Sequence, residues 1–415
     1  MPRASRARYV VLILTLLLSA IVYLDRVCIS TASLVIKSQL GLSDSQIGYV
    51  FSIYTIAYAV FEIPGGWLVD RFGARWMLTR IVVAWSLMTA ATGLAWSFSS
   101  LFVIRMLFGM GEAGAYPSIA WVYGRWLPSH GRGRAFGLTV MAGLLGASIT
   151  QPVVVALLGQ TSWRHIFPLF GAVGLVWAVV WFWWFRDHPS AHPAVNQAEL
   201  TIIGGHAAEA GHVKVPWRRL WGNRSLRALC LMYCGTIYGW YFYLTWLPQY
   251  LYRARGFDLK AVGWLSALPL LAIAIGVLTG GWVSDILVRR WGPRLGRRIP
   301  GLIGLPVAAA AIVRAVTAPH PVGAALAMAV AAGFSALGVA PAWATCLDIG
   351  RRNAGVISGA MNTFGNLGGA LSPIVVGILL DHWHSWDTPL YTVAVLYLAA
   401  AAAWFWIDPG ETLED

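Results

Sequence analysis

Charged side chains are scarce in this chain of 415 residues. Only 11% of its residues are Asp, Glu, Lys or Arg, and 58% are hydrophobic, whereas roughly a quarter of the residues are charged in an ordinary soluble domain. So few charges cannot cover a water-soluble globule of this size, and composition therefore excludes one. The 44 Gly and 23 Trp are typical of helical membrane proteins, in which small residues allow close helix contacts and Trp lies at the interfaces.

Motifs for catalysis and metal binding are also lacking. The four cysteines, Cys28, Cys230, Cys234 and Cys346, lie in apolar stretches without other ligands nearby, so neither a disulfide framework nor a metal site is expected. No nucleophile with a nearby base and no phosphate-binding glycine loop occurs in these stretches. We therefore expect a protein that is not an enzyme and holds no cofactor.

Long apolar windows make up most of the chain. About 20 apolar residues are needed to cross the ~30 Å hydrocarbon core of a bilayer, and the sequence predicts an all-α integral membrane protein of twelve transmembrane helices. The windows cover about 9–34, 47–69, 76–97, 101–124, 135–159, 164–185, 228–251, 261–284, 300–318, 322–347, 355–380 and 389–407. The predicted parts are an N-terminal six-helix bundle at 1–186, a cytoplasmic linker at 187–227, a C-terminal six-helix bundle at 228–408 and an acidic cytoplasmic tail at 409–415. In the linker, His188 and His192 are expected to be solvated.

Basic residues fall unevenly on the two sides of the predicted bundle. Cytoplasmic loops are enriched in Lys and Arg, and the clusters at 71–80, 125–134, 186–227 and 289–298 lie on the same side as both termini. The sequence therefore predicts a multi-pass membrane protein with both termini in the cytoplasm. We also expect it to be a monomer surrounded by lipid, in a plasma (bacterial inner) membrane. This sidedness accounts for the net charge of +13, so that charge does not indicate a nucleic-acid partner.

Two short patterns recur in the two halves of the chain. GGWLVD (65–70) ends the second window and GGWVSD (280–285) ends the eighth. A second match pairs three glycines of the fifth window with three of the eleventh, namely Gly137, Gly143 and Gly146 with Gly359, Gly365 and Gly368. The halves are therefore predicted to be parallel six-helix repeats. Repeats of this kind place a substrate site at their interface near the bilayer midplane.

Several segments resemble a known transporter family. GWLVDRFGAR (66–75) resembles the loop between the second and third helices of the major facilitator superfamily, although Trp76 stands where a second basic residue is usual. YLDRV (23–27), RMLFGMGEAGAYP (105–117) and FRDHP (185–189) resemble the anion:cation symporter family within it. That family includes bacterial carriers of galactonate, glucarate and hexuronates, and the animal carrier sialin. The resemblance implies alternating-access transport of an organic anion driven by protons.

Five ionisable residues fall within the predicted spans, all in the first half: Asp25, Arg26, Glu62, Arg105 and Glu112. Leaving several of them in lipid costs on the order of 10 kcal/mol, so they must pair or line water. Arg105 and Glu112 are two helical turns apart and share a face, which allows a static ion pair. Asp25 and Arg26 diverge by ~100° around their helix, which gives them separate roles. Arg26, with Tyr23 on the same face, suits a planar substrate carboxylate.

The remaining roles follow from the resemblance. Asp25 and Glu112 suit protons, and in the family the matching carboxylates couple protons while the matching Arg contacts the substrate. Arg105 is expected to support this coupling. The predicted cytoplasmic gate consists of Glu62, Asp70, Arg71 and Asp285. For Glu62, a proton site is the alternative.

The second half offers neutral polar groups in place of charges. Asn362 and Asn366 lie at helical spacing in the eleventh window, and Trp343 lies in the tenth. We expect these residues to contact the substrate together with Tyr58, which matches a family position near it; plain helix packing is the alternative for the asparagines. Gly143 stands where the sugar-acid carriers have a polar substrate contact, which leaves a less hydroxylated or bulkier substrate open.

These features predict a secondary active transporter that moves a small organic anion together with protons. A sugar acid such as an aldonate, aldarate or uronate is the favoured substrate, and an aromatic acid or a dicarboxylate is the alternative. A proton-driven exporter or antiporter and a sensor without transport also stay open. Export of hydrophobic cations is disfavoured because Arg26 would repel them.

Overall fold

The protein is described by a computed structural model that covers residues 4–203, 222–350 and 354–410. Every regular element among these residues is helical. The helices before residue 204 are α1 (Ala7–Leu40), α2 (Asp44–Phe72), α3 (Ala74–Thr92), α4 (Phe98–Glu112), α5 (Ala115–Trp126), α6 (Ser129–Leu158), α7 (Trp163–Trp184) and α8 (Gln197–Ile203). Those after residue 221 are α9 (Arg224–Thr245), α10 (Leu259–Thr317), α11 (Pro321–Ser335), α12 (Val339–Gly350), α13 (Ala354–Trp383) and α14 (Asp387–Ala403).

The long helices coincide with the apolar windows. Within the described ranges, seven helical stretches are long and apolar enough to cross a membrane, and eight are if the two parts of α2, bent near Pro64, form one span. These findings confirm an all-α membrane protein. The remaining predicted spans fall on α3, on α4 with α5, on α9 and on one part of α10, so the number twelve stays a prediction.

Several breaks in the helices occur at glycines with positive φ, among them Gly114 and Gly292. Gly114 (φ 93°) separates α4 from α5, and Gly292 (φ 80°) interrupts α10. Such a backbone conformation is accessible to glycine without steric cost. The 59 residues of α10 are thus two helices joined at a kink, because Gly292 does not have helical dihedral angles. The break at Gly292 lies between the two predicted windows that this helix covers.

Close contacts group the chain into two compact units. The first comprises Met1–Ile29, Ile53–Thr150 and Ala156–Gly211. The second comprises Ser30–Ser52, Gln151–Val155 and His212–Asp415. Helices α1, α2 and α6 therefore contribute residues to both units, and the predicted domain boundaries stay predictions.

Glycines that recur in the two sequence repeats lie at tight helix contacts in each unit. A Cβ atom at Gly143 in α6 would lie 2.6 Å from the ring of Tyr23 in α1. A Cβ atom at Gly365 in α13 would lie 2.6 Å from the ring of Tyr233 in α9. Real Cβ atoms do not approach neighbours this closely, so both positions require glycine for these ring placements. The sequence repeat thus corresponds to a repeated helix contact.

The first part of the predicted linker packs on the first unit. Glu199 in α8 is buried, and its carboxylate accepts hydrogen bonds from the backbone N–H groups of Ala7 and Arg8, both at 3.1 Å. These groups begin α1 and lack partners within the helix, and a carboxylate there also suits the helix dipole. Glu199 therefore fixes the start of the helix that carries Arg26.

The expectation that His192 is solvated is wrong, whereas His188 is exposed as expected. His192 is buried against the rings of Trp126 and Trp184, and its Nε2 lies 3.0 Å from the Trp184 carbonyl oxygen. Burial holds the pKa of His192 below its usual value. No local sequence pattern indicates this burial, because the two tryptophans belong to different helices, α5 and α7.

The second unit contains an ionic cluster around Asp44. Asp44 at the start of α2 accepts hydrogen bonds from Arg253 at 2.7 and 3.1 Å and pairs with Lys37 at the end of α1. Asp381 in α13 accepts the backbone N–H groups of Asp44 and Ser45 at 3.0 and 2.8 Å. A two-donor guanidinium contact and a carboxylate cap fix this end of α2.

Candidate substrate and proton site

Arg26 lies at the centre of a ring of tyrosines in the first unit. Its guanidinium carbon is 5.3 Å from the ring centre of Tyr23, 5.5 Å from that of Tyr54 and 4.8 Å from that of Tyr58. Tyr23 is on the same face of α1, as its spacing predicted, and the other two lie on α2. Aromatic faces attract a cation, so this arrangement favours a charged guanidinium away from bulk water.

Glu112 at the end of α4 forms an ion pair with Arg26. The Nε of Arg26 donates a hydrogen bond to Oε1 of Glu112 at 2.6 Å, and Nη2 of Arg26 contacts the same oxygen. The hydroxyl of Tyr54 lies 3.5 Å from that oxygen. The other oxygen, Oε2, is buried without a hydrogen-bond partner among the described residues. Oε1 thus holds Arg26, and Oε2 is free to take a proton.

Helix α4 reaches this position because Gly109 allows close contact with α2. A Cβ atom there would collide with the backbone carbonyl of Tyr54. One turn later, Glu112 is brought level with Tyr54 and Arg26. The glycine-rich motif around Glu112 therefore has a packing role as well as supplying the carboxylate.

Asp25 points away from Arg26, as the helical geometry predicted. It is fully buried, and its Oδ2 accepts a hydrogen bond of 3.1 Å from the indole Nε1 of Trp85 in α3. No described cation lies within ion-pair distance of Asp25. A carboxylate in such surroundings is costly to keep charged, which suits a group that exchanges a proton.

Arg105 in α4 forms no ion pair with any described residue. Its guanidinium carbon is 4.2 Å from the ring centre of Phe108 and 5.5 Å from that of Tyr54. The Nε and Nη1 atoms of Arg105 are buried without a hydrogen-bond partner within the described ranges. The static Arg105–Glu112 pair that the seven-residue spacing allowed is therefore wrong for this structure: Glu112 pairs with Arg26. Arg105 still interacts electrostatically with Asp25 and Glu112.

The predicted substrate contacts of the second half lie in the second unit. The indole Nε1 of Trp343 donates a hydrogen bond of 3.1 Å to the hydroxyl of Tyr233, which lies over Gly365. Asn362 and Asn366 are half-buried on α13, and neither forms a hydrogen bond within the part of the chain that the structure describes. Both amides are available to a ligand, and their contact with substrate stays a prediction.

The four predicted gate residues have different surroundings. Glu62 is half-buried and accepts a hydrogen bond of 3.3 Å from the hydroxyl of Tyr58, so it adjoins the tyrosine ring around Arg26. Asp70 and Arg71 are exposed. Asp285 forms an ion pair of 3.1 Å with Arg297. Their gating role stays a prediction.

Three residues of these clusters had no role in the sequence-based site: Tyr54, Trp85 and Tyr233. Tyr54 shares a helix face with Tyr58, which is a signal that the spacing contained. The repeat pairs Gly365 with Gly143, but the rings that face these glycines, Tyr233 and Tyr23, are seen only in the structure. No local pattern connects Trp85 with Asp25.

We expect alanine at Gly143 or Gly365 to destabilise the protein by about 1–3 kcal/mol, because the added Cβ must push a tyrosine ring out of place. Gly143→Ala should also weaken substrate binding, since Tyr23 contacts Arg26. Gly137→Ala and Gly359→Ala are matched controls from the same repeat pattern, with no atom within 4 Å of the added Cβ. Thermal unfolding of the four variants in detergent measures this, and equal stability of all four would contradict the packing role.

The helices and the buried charges define a multi-pass, all-helical membrane protein with an ionic site inside its spans. The chain belongs to the Major Facilitator Superfamily, whose family model matches residues 15–373. This is a family of transporters rather than enzymes, and the resemblance seen in the motifs is confirmed.

Individual relatives match over almost their whole length. The chain is 36% identical to the probable sulfoacetate transporter SauU of Cupriavidus necator, over 100% of this chain and 97% of the relative. It is 30% identical to the probable galactarate/D-glucarate transporter GudP of Escherichia coli, over 97% of this chain and 93% of the relative. Among solved structures, a bacterial homologue of the human lysosomal transporter Spinster has the same fold, with a TM-score of 0.80, 20% identity and 97% of both chains covered.

Proposed function

We propose that this protein is a secondary active transporter that carries a small organic anion across the bacterial inner membrane together with protons. The observation that carries the proposal is the Arg26–Glu112 ion pair inside the tyrosine ring. The relatives support the substrate class, because sulfoacetate, galactarate and glucarate are all small organic anions. We further propose cytoplasmic termini and a monomer, as the sequence predicted.

Arg26 is the group that binds the anion. A guanidinium stays charged at all physiological pH values and offers a planar pair of donors to a carboxylate. In this structure Glu112 is bound to two of the guanidinium nitrogens, Nε and Nη2 of Arg26. A substrate carboxylate therefore has to displace Glu112 from Arg26.

Displacement becomes favourable when Glu112 takes up a proton. Adding a second anion beside a charged Glu112 costs about 3 kcal/mol for charges ~5 Å apart at an effective dielectric constant of ~20. Protonation of Oε2 removes this repulsion and releases Arg26 at the same time. The net charge of Arg26, Glu112 and a monovalent anion is then zero, the same as that of the Arg26–Glu112 pair without the anion. An anion therefore enters together with a proton. Asp25 is the proposed second proton site, and Arg105 interacts electrostatically with both carboxylates.

Sugar acids are the first candidates for the substrate. Their hydroxyl groups suit the tyrosines around Arg26. A second candidate class is the short sulfonate-bearing carboxylates, of which sulfoacetate is one. It is favoured by the Tyr23 ring that covers Gly143, because an aromatic ring stands where a sugar-acid carrier places a polar contact.

A panel of ligands distinguishes these candidates. We expect one or more small carboxylates to raise the unfolding temperature of the purified protein, since saturation at 100 times the dissociation constant contributes ~2.7 kcal/mol. The panel consists of sulfoacetate, galactarate, glucarate, galactonate, glucuronate, succinate, an aromatic acid, galactose and an organic cation. Galactose and the cation should have no effect.

Tight binding of galactose would contradict the role of Arg26. Uptake of labelled substrate into proteoliposomes under an inward proton gradient then separates a symporter from an exporter and from a sensor. Efflux-only transport, or binding without transport, would contradict the symport proposal.

A further inference from the structure

A basic cleft opens on the second unit. It has a volume of about 700 Å³ and is lined by Arg224, Arg294, Arg298, Phe405, Trp406 and Asp408, among others. Three guanidinium groups thus face one carboxylate among the described lining residues. Such a concentration of like charge is unfavourable unless an anion joins it.

The arginines of the cleft are incompletely neutralised. Arg294 pairs with Asp408 at 3.1 Å. Arg298 donates from Nε to the carbonyl of Ile407, and it is repelled by Arg294 and attracted by Asp408. Arg224 contacts the ring of Trp406, with its guanidinium carbon 5.7 Å from the ring centre. Neither Arg224 nor Arg298 has a carboxylate within ion-pair distance in the described part of the chain.

The walls of the cleft are held in place by the chain itself. The backbone N–H of Asp408 donates a hydrogen bond of 3.0 Å to the hydroxyl of Ser225, in the first turn of α9. Asn223 caps the same helix by accepting the N–H of Leu226 at 2.8 Å. The residues after α14 are thereby fixed against the start of α9, so the charged groups form a built cleft and not a loose surface patch.

The position of the cleft indicates a ligand from the membrane. It lies where α9 begins and α14 ends, on the side that the basic loops assign to the cytoplasm. Phe405 and Trp406 are 66% and 46% exposed, and aromatic side chains at the ends of membrane helices lie at the level of the lipid headgroups. Basic pockets between helices on this side of a membrane suit anionic headgroups.

We propose that this cleft binds the phosphodiester headgroup of an anionic phospholipid of the cytoplasmic leaflet. Arg224, Arg294 and Arg298 contact the phosphate oxygens, and Phe405 and Trp406 lie beside the glycerol and the upper acyl chains. A free phosphate ion shares the headgroup chemistry but makes no use of the exposed aromatic wall. The proposal is independent of the transported substrate.

The test compares lipid binding by two pairs of variants. Arg224→Gln with Arg294→Gln removes two cleft charges that make no backbone contact. Arg289→Gln with Arg290→Gln removes two exposed charges on α10 outside the cleft. Native mass spectrometry of the full chain in detergent, titrated with phosphatidylglycerol or phosphatidylcholine, measures bound lipid. Thermal unfolding without lipid establishes that both variants are folded.

We expect the wild type and the Arg289/Arg290 variant to retain phosphatidylglycerol in preference to phosphatidylcholine. The Arg224/Arg294 variant should bind phosphatidylglycerol roughly twenty-fold more weakly, because each basic residue at a membrane surface contributes about a fivefold factor. Equal binding by both variants would overturn the proposal. Displacement of phosphatidylglycerol by millimolar inorganic phosphate would also overturn it, in favour of a free-anion site. A variant in which Glu411, Glu414 and Asp415 are neutralised provides a further test. If phosphatidylglycerol binds only to this variant, the acidic tail is the occupant of the cleft and the proposal is overturned.

Discussion

Replacement of Arg26 by alanine is expected to weaken substrate binding by about 30-fold or more, since truncating one partner of a buried, hydrogen-bonded charge pair costs ~2–5 kcal/mol. Arg26→Lys should remain poor, because an ammonium group is a point charge and does not reproduce the planar two-donor contact. Isothermal titration of the purified protein with the best ligand of the panel measures both effects.

A loss of binding in Arg26→Ala has a second possible cause, because Glu112 is left buried and unpaired, and breaking a buried pair destabilises a protein by about 3–5 kcal/mol. The double variant Arg26→Gln with Glu112→Gln removes both charges and should fold, yet still fail to bind. Arg80→Ala, an exposed arginine on α3, is the control for the loss of one positive charge. Wild-type affinity in Arg26→Lys, or substrate binding by the double variant, would contradict the proposal that Arg26 binds the substrate carboxylate.

The geometry within a single helix was predictable from the sequence. Helical spacing placed Tyr23 beside Arg26 and directed Asp25 elsewhere, and both relations are found. The all-helical membrane fold was likewise predictable, since apolar windows and the superfamily motif depend on residues close together in the chain. Helix geometry is fixed by the local backbone, so these inferences needed no knowledge of the neighbours.

Pairings between helices were not predictable in the same way. Glu112 shares a face with Arg105 but pairs with Arg26, because the tight contact at Gly109 brings the end of α4 to α1 and α2. The partner of Asp25 is Trp85, and nothing in the local sequence distinguishes this tryptophan from the others. Burial of His192 depends on the packing of residues 187–203 against two helices. Each of these contacts is decided by tertiary packing, which local patterns do not encode.

The glycine pattern of the repeats is an intermediate case. Gly143 and Gly365 were visible as equivalent positions, but the rings that they accommodate were not. Even once the contact of Gly143 with Tyr23 is known, the repeat does not identify Tyr233, because Gly143 and Gly365 are 222 residues apart whereas Tyr23 and Tyr233 are 210 apart. Gly143 stands where the sugar-acid carriers have a polar substrate contact, and the structure gives the reason: the Tyr23 ring fills the space that a side chain at this position would occupy.

Replacement of Glu112 by glutamine is expected to separate proton coupling from binding. Glutamine imitates the protonated carboxyl group, so Arg26 stays available to the substrate while the proton can no longer leave. Proton-driven uptake should fall at least about tenfold, because a coupling free energy of 1–3 kcal/mol corresponds to about 5–150-fold. Exchange of internal for external substrate should survive, since that cycle never requires the empty carrier to release its proton. Both modes are measured in proteoliposomes, with the pH gradient and the membrane potential set independently.

Asp25→Asn should behave in the same way if Asp25 holds a second proton, and two protons per monovalent anion would carry net positive charge inward. Uptake by the wild type should then rise with an inside-negative potential, which supplies ~2.3 kcal/mol per charge at 100 mV. Glu62→Gln makes the same chemical change at the predicted gate, and this variant should keep proton-driven uptake. If Glu62→Gln alone lost proton-driven uptake, Glu62 would be the coupling site. Undiminished proton-driven uptake by Glu112→Gln would instead assign the Arg26–Glu112 pair a purely structural role. A static ion pair holds α4 against α1 without any uptake or release of a proton by Glu112.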